Sequence, residues 1–209
     1  MQHRIFAALY DRVTAPLENA GLAALRTELL GPLRGDVLEV GAGTGANLSH
    51  YGAVSSLVLV EPDPAMARRL RRRLARMGTA PAPEVRLGTI DGAIADRSKD
   101  AVVCTLVLCS AADPAALLSQ ARRVLRDDGA LVLIEHVRAG GRVGSLLQTL
   151  LTPLQRVVAG GCHLNRRTKQ AVATAGFDVS EVRELQIFST LPLLASGIAG
   201  IARPTGPRG

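Results

Sequence analysis

Hydrophobic positions in this chain change period several times, and each change marks an element. Over residues 1–34, Leu17, Leu22, Leu25, Leu29 and Leu30 recur near helical spacing, and Gly31-Pro32 stops the pattern. DVLEV, from Asp36 to Val40, is short, β-branched and ended by glycine, which predicts a first strand. A short helix is expected to start in the glycine-rich turn and run to about Tyr51. SLVLVE, ending at Glu61, is nearly continuous in apolar residues, as a strand buried on both faces should be. Asp63-Pro64 predicts a capped helix with proline in its first turn. Its buried stripe is Met66, Leu70, Leu74 and Met77, its arginines from Arg68 to Arg76 form a solvated face, and Gly78 closes it.

EVRLG predicts a third strand, followed by a polar connection over 89–99. A fourth strand within AVVCTLVLCS ends around Thr105 or Leu106. Asp113-Pro114 then caps a helix that turns Leu117, Leu118, Ala121, Val124 and Leu125 inward and ends at Gly129. ALVLIEHV is the fifth strand. This alternation of strand and helix predicts a parallel sheet covered on both faces. Between Gly140 and Gly161 the alternation breaks. GSLLQTLLTPLQRVVAGG is apolar and helical in pattern, interrupted by Pro153, and reads as an inserted lid or side wall. A helix over 166–175, a strand over 178–187 and a last strand in GIAGIAR complete the chain.

A length of 209 residues suits one domain. The pattern divides it into a helical cap (1–34), a cofactor-binding core (35–137), an apolar lid (138–165) and a C-terminal helix with strands (166–209). The net charge of +7 suggests attraction to anions. Nucleic-acid binding is not expected, because base stacking needs aromatics and these are 2% of the chain. Three cysteines are an odd count with no zinc-ribbon spacing, so reduced thiols and no metal are expected. Gln2, His3 and Arg4 precede no sustained apolar stretch, and no run approaches the length of a spanning helix. The expected location is the cytoplasm, with peripheral contact to a membrane open because of the apolar lid and the positive charge.

VLEVGAGTGANL, from Val37 to Leu48, carries the chemistry. Gly41, Gly43 and Gly45 let a ligand approach the backbone, and a following helix N-terminus favours negative charge. The same string fits a dinucleotide pattern if Ala46 replaces the last glycine. Glu61, twenty positions past Gly41, accepts ribose hydroxyls in either chemistry. Glu39 separates them. An acid at an inner strand position is costly to bury without a cationic or hydrogen-bonding partner. The ammonium group of S-adenosylmethionine supplies one, directly or through water; the alternative is that Glu39 caps neighbouring backbone amides. A nicotinamide-binding oxidoreductase and a non-catalytic binding module stay open as rivals.

VLEVGAGTG, LVLVEPDPAM and RVLRDDGALVLIEHV resemble, in order and spacing, the class I S-adenosylmethionine-dependent methyltransferases. DAVVCTLVLCS, IEHV and GCHLNRRT are similar to the thiol methyltransferase-like group, and more distantly to ubiquinone, menaquinone and phospholipid methyltransferases. The resemblance implies a Rossmann-like doubly wound α/β sheet of about seven strands, in the order 3-2-1-4-5-7-6 with the last antiparallel and helices on both faces. It implies S-adenosylmethionine as cofactor and a small-molecule methyl acceptor. Animal members of the thiol group carry an apolar N-terminal anchor, which this sequence is not expected to have.

By the same resemblance, Gly41, Ala42, Gly43 and Gly45 form the loop under the methionine part of the cofactor, and Asn47 fixes the turn. Glu61 holds the ribose, Pro62 and Met66 lie against the adenine, and Thr89 and Ile90 border its edge, with Asp91 a further candidate. Cys104, Thr105 and Leu106 line the methyl donor. Tyr10-Asp11 resembles a pair in the quinone enzymes, so Tyr10 is expected to close over the cofactor carboxylate. Cys104 is not read as a nucleophile, since buried cysteine ordinarily acts as apolar filler. Glu135 and His136 end the fifth strand, where open α/β sheets place ligands. Alternation sends them to opposite faces, and His136 is the candidate base for the acceptor proton. His163, Asn165 and Arg166 follow the lid and are expected to border the acceptor.

Overall fold

The computed structural model describes residues 12, 14–78, 82–90, 92–158, 161–186 and 195–206. Its centre is an eight-stranded sheet: β1 (Asp36–Val40), β2 (Ser56–Glu61), β3 (Glu84–Leu87), β4 (Lys99–Thr105), β5 (Leu125–His136), β6 (Phe177–Asp178), β7 (Val182–Gln186) and β8 (Ser196–Pro204). The order is β3-β2-β1-β4-β5-β8-β6, and β7 also pairs with β8. The first five strands run parallel, and β8 is antiparallel to β5, β6 and β7. Apart from the two-residue β6, this is the expected order. The last strand inserts between the fifth and the one that precedes it.

The helices are α1 (Ala23–Leu30), α2 (Pro64–Met77), α3 (Pro114–Val124), α4 (Arg142–Val158) and α5 (Thr168–Thr174), with a π-helical turn, Glu18–Leu22, leading into α1. The sheet faces are read from alternation. Val37, Leu59, Val103, Val132 and Ile134 pack with Leu25, Leu29 and Leu30 of α1 and Leu70 of α2. Their neighbours Leu38, Val40, Val102, Cys104 and Leu133 face the other way, onto Leu118 and Val124 of α3 and Val172 of α5. Both layers exclude water, so near-continuous apolar strands are what this position demands. At the amino ends of the strands, Arg126 bridges Asp36, at 3.1 Å, and Asp100. The carboxyl ends are left to the loops.

The caps form as the sequence implies. The Asp63 side chain accepts from the amides of Ala65 and Met66, and that of Asp113 from Ala116. Four expectations are corrected. The helix capped by Asp113 ends at Val124 rather than at Gly129: Leu125 turns to extended backbone and opens β5, paired with Lys99 of β4. The stretch up to Tyr51 is not a helix that starts in the glycine loop but turns followed by a 3-10 turn, Leu48–His50. Left-handed backbone at Gly41, Gly43 and Gly45 interrupts any helical run there. Met77 is 38% exposed, because the last turn of α2 lies beyond the face that buries Met66 and Leu70. Pro153 does not interrupt α4: the helix runs through it, with Pro153 and Thr149, four residues back, on its exposed side. The carbonyl that proline leaves without a helical partner therefore lies on the side open to solvent.

Candidate active site

The carboxyl ends of β1, β2 and β4 meet around the glycine loop, the position where open α/β sheets bind ligands. Glu39 is buried on β1 on the α1 side of the sheet. Its carboxylate accepts from the Tyr51 hydroxyl at 2.7 Å and the Asn47 amide at 2.9 Å. Asn47 also donates to the Thr105 hydroxyl at 3.2 Å and accepts from buried Arg26 of α1, which pairs with Glu18 at 3.0 Å. Burial pushes the Glu39 carboxyl up to about 7 against the opposing pull of Tyr51, Asn47 and Arg26. The same burial, with the Glu39 charge, holds the Tyr51 hydroxyl well above its ordinary range. Among the described residues Glu39 therefore caps no backbone amide. It is held by side chains in a site that gains from one more positive charge.

Glu61 ends β2 and is also buried. One oxygen accepts from the Gly43 amide at 2.8 Å and the other from the Asp63 amide at 2.8 Å. Each carboxylate oxygen has a second lone pair, so acceptor capacity remains. Burial is the main reason its carboxyl is raised. Gly43, at φ +57°, would direct a Cβ into space where the nearest atom is 3.9 Å away, whereas a Cβ on Gly41 would strike Val107 at 2.5 Å. The loop is therefore packed from beneath at Gly41 and open at Gly43. Two buried acids beside an open backbone loop fit a cationic, hydroxyl-bearing ligand such as S-adenosylmethionine.

The other predicted residues fall into three sets. Ala42 is buried in the loop, Pro62 and Thr89 are exposed, and Met66 and Ile90 are buried. Thr105 joins the Glu39 network, and Leu106 takes φ +56°. A branched apolar residue in left-handed backbone is strained, and such strain clusters at ligand sites. Cys104 is fully buried in the cluster on the α3 side, away from Glu39. Tyr10 and Asp91 lie outside the described residues.

At the end of β5 the two neighbours separate as alternation requires. His136 pairs with Gly197 and shares the face of Ile134, hence that of Glu39 and Thr105. Glu135 goes to the opposite face, fully buried, and accepts from the amides of Val107 at 2.9 Å, Leu108 at 2.8 Å and Cys109 at 3.1 Å. Burial lifts its carboxyl to about 7 despite those three bonds. The loop after β4 is thus hung from Glu135. It is braced from the other side by Arg166, which donates to the Leu108 carbonyl, and by the His163 amide, which donates to that of Cys109 at 2.9 Å. Asn165 reaches Thr149 of α4 at 3.4 Å. His163 and Arg166 therefore gather around the loop after β4, and Asn165 stands at α4, rather than around Glu39.

Three contributors escaped the sequence reading: Arg26, Tyr51 and the anchoring role of Glu135. Arg26 left a signal, a charge between Leu25 and Leu29 on an apolar stripe. Tyr51 left only its rarity, one of two tyrosines. The wide cleft between α3 and α5, lined by Ser119, Arg122, Ala171 and Thr174, includes no glycine-loop residue. The buried acids at the strand ends lie outside that cleft.

Residues 38–131 match a methyltransferase domain family. The chain is 37% identical over 150 residues to the thiol S-methyltransferase TMT1B of Rattus norvegicus, covering 70% of this chain and 61% of that protein. It is 31% identical over 201 residues to the thiol S-methyltransferase TMT1A of Homo sapiens, covering 94% of this chain and 82% of that one. The fold superposes on a geranyl diphosphate methyltransferase in complex with S-adenosylmethionine with a TM-score of 0.66, at 17% identity, over 89% of this chain and 85% of that one.

Proposed function

Since the chain belongs to the thiol S-methyltransferase group of the S-adenosylmethionine-dependent methyltransferases, we propose that it methylates the sulfur of a small apolar thiol. The observation that carries the cofactor in this reading is the pair of buried acids, Glu39 and Glu61, on either side of the open Gly43 backbone, and the thiol acceptor is supported by the relatives. When bound, S-adenosylmethionine supplies an electrophilic methyl group on a sulfonium. Glu39 meets the ammonium end, steadied by Tyr51 and Asn47. The Gly41–Asn47 loop carries the methionine part and Glu61 the ribose. Pro62, Met66, Thr89 and Ile90 border the adenine, and Thr105 and Leu106 flank the reacting carbon. Transfer is a direct in-line displacement in which these residues fix distance and angle.

A thiol, with a pKa of about 8.5, is already partly thiolate at neutral pH, so a single weak base suffices. In this reading His136 accepts the thiol proton, a role supported by its burial on the face of Glu39 and Thr105. His163 and Arg166 act through the loop after β4 and Asn165 through α4, shaping the acceptor side. No helix among the described residues is long and apolar enough to cross a membrane. Peripheral contact with one belongs to the proposal, as does the second reading, a phospholipid or quinone acceptor, which the outward leucines of α4 favour. A labelled-methyl transfer screen against alkyl thiols, amines, quinones and phospholipids tests the choice. Incorporation into thiols is expected; label in phospholipid or quinone without label in thiols would overturn it.

A further inference from the structure

The lid helix α4 is built inside out. Its inward stripe is polar: Ser145, Gln148 and Thr152 are buried, and Gln148 is fully so. Gln148 accepts from the Ala139 amide at 2.7 Å and donates to the Val137 carbonyl at 3.2 Å, tying α4 to the end of β5. The Thr152 hydroxyl closes back onto the Gln148 carbonyl at 2.7 Å. With Gln148 and Thr152 bonded, the helix is held in one rotation, and that rotation turns its leucines out. Val143 is 68% exposed, Leu146 61% and Leu150 67%, with Leu147 and Leu151 beside them. Their spacing makes one continuous stripe. Among the described residues, only Met77 and Leu87 are comparably exposed large hydrophobics, and they stand alone.

The chain on either side of this stripe carries charge of one sign. No Asp or Glu occurs between Glu135 and Asp178, while Arg138, Arg142, Arg166, Arg167 and Lys169 do. Arg138, Arg142 and Arg167 are exposed. A second copy of this chain would bring the same basic border against itself. An anionic bilayer would receive the leucines and attract the arginines together. Seventeen residues of helix are about 25 Å long, enough to lie in the headgroup plane.

We propose that the outward face of α4 is an interfacial docking surface for an anionic phospholipid bilayer. This rests on the peripheral contact included above and gives it a place: the acceptor side of the site, one loop from β5, faces the lipid. The test is flotation of the full chain with vesicles of phosphatidylcholine alone or mixed with phosphatidylglycerol, at low and high salt. Binding to the mixed vesicles, weakened by salt, is expected. The variant Leu146→Ser/Leu150→Ser should lose roughly tenfold or more of its bound fraction, with circular dichroism and S-adenosylhomocysteine affinity unchanged. Leu87→Ser, on the far edge strand, should bind as wild type. Absent flotation, equal loss in Leu87→Ser, or a leucine-dependent dimer that binds no vesicles would overturn the proposal. Thiol methylation measured without vesicles separates the two claims. Turnover without flotation removes only the surface, and flotation without turnover removes only the acceptor.

Discussion

Glu39 offers a measurement that reaches inside the site. In the free protein its carboxyl titrates at about 7, pushed up by burial. A cation brought within bonding range favours the charged form and returns it toward the ordinary carboxylate range. Ligand binding should then expel the proton that Glu39 holds. About nine in ten copies carry it at pH 6 and about one in ten at pH 8, so S-adenosylhomocysteine should bind roughly tenfold more tightly at pH 8. Calorimetry in buffers of different ionisation enthalpy should count about half a proton released at pH 7. Glu39→Gln keeps the shape but cannot ionise. Its affinity should be lower at pH 8 and flat between the two pH values. The stability of the ligand-free protein carries the opposite sign. A carboxyl raised in the folded state stabilises fully below its ordinary value of 4.5, and that contribution is lost as pH rises through 7. Full ionisation of Glu39 therefore costs about 3 kcal/mol, and Glu39→Gln should be more stable than wild type at pH 8 by up to that amount. Glu135 titrates in the same window in both proteins, so the comparison isolates Glu39. A wild-type affinity independent of pH, or a Gln variant that keeps the dependence, would refute the electrostatic reasoning.

Three further outcomes are expected. Glu61→Ala should weaken S-adenosylhomocysteine binding by about two orders of magnitude or more, since two charge-assisted bonds of about 1.5–3 kcal/mol each are at stake; circular dichroism should show the fold intact, and unchanged affinity by calorimetry would remove Glu61 from the ribose. Glu135→Ala should strand the amides of Val107, Leu108 and Cys109, costing about 3 kcal/mol or more in urea unfolding; a loss below about 1 kcal/mol would show that the loop does not hang from it. His136→Ala should lower kcat at pH 7 far more than it raises the dissociation constant for S-adenosylhomocysteine, and should move the acid limb of the kcat profile, measured at saturating cofactor, up toward the thiol's own pKa of about 8.5; a wild-type profile would make His136 structural.

The sequence by itself determined most of the strands and helices, where both Asp-Pro caps fall, and that an acid sits beneath the first glycine turn. These are local or periodic facts, written in spacings of two and of three to four residues and in turn chemistry. Through its resemblance the sequence also implied strand order and cofactor. Tertiary structure alone decided which groups meet. Arg26 and Asn47 are 21 positions apart and bond inside the site; Glu135 reaches back 28 positions to the Val107 amide. Such partnerships follow from how the layers stack, which no local spacing encodes. Only the folded molecule set the rotation of α4. Its amphipathic pattern is equally compatible with leucines turned in, and hydrogen bonds from Gln148 to the end of β5 turn them out.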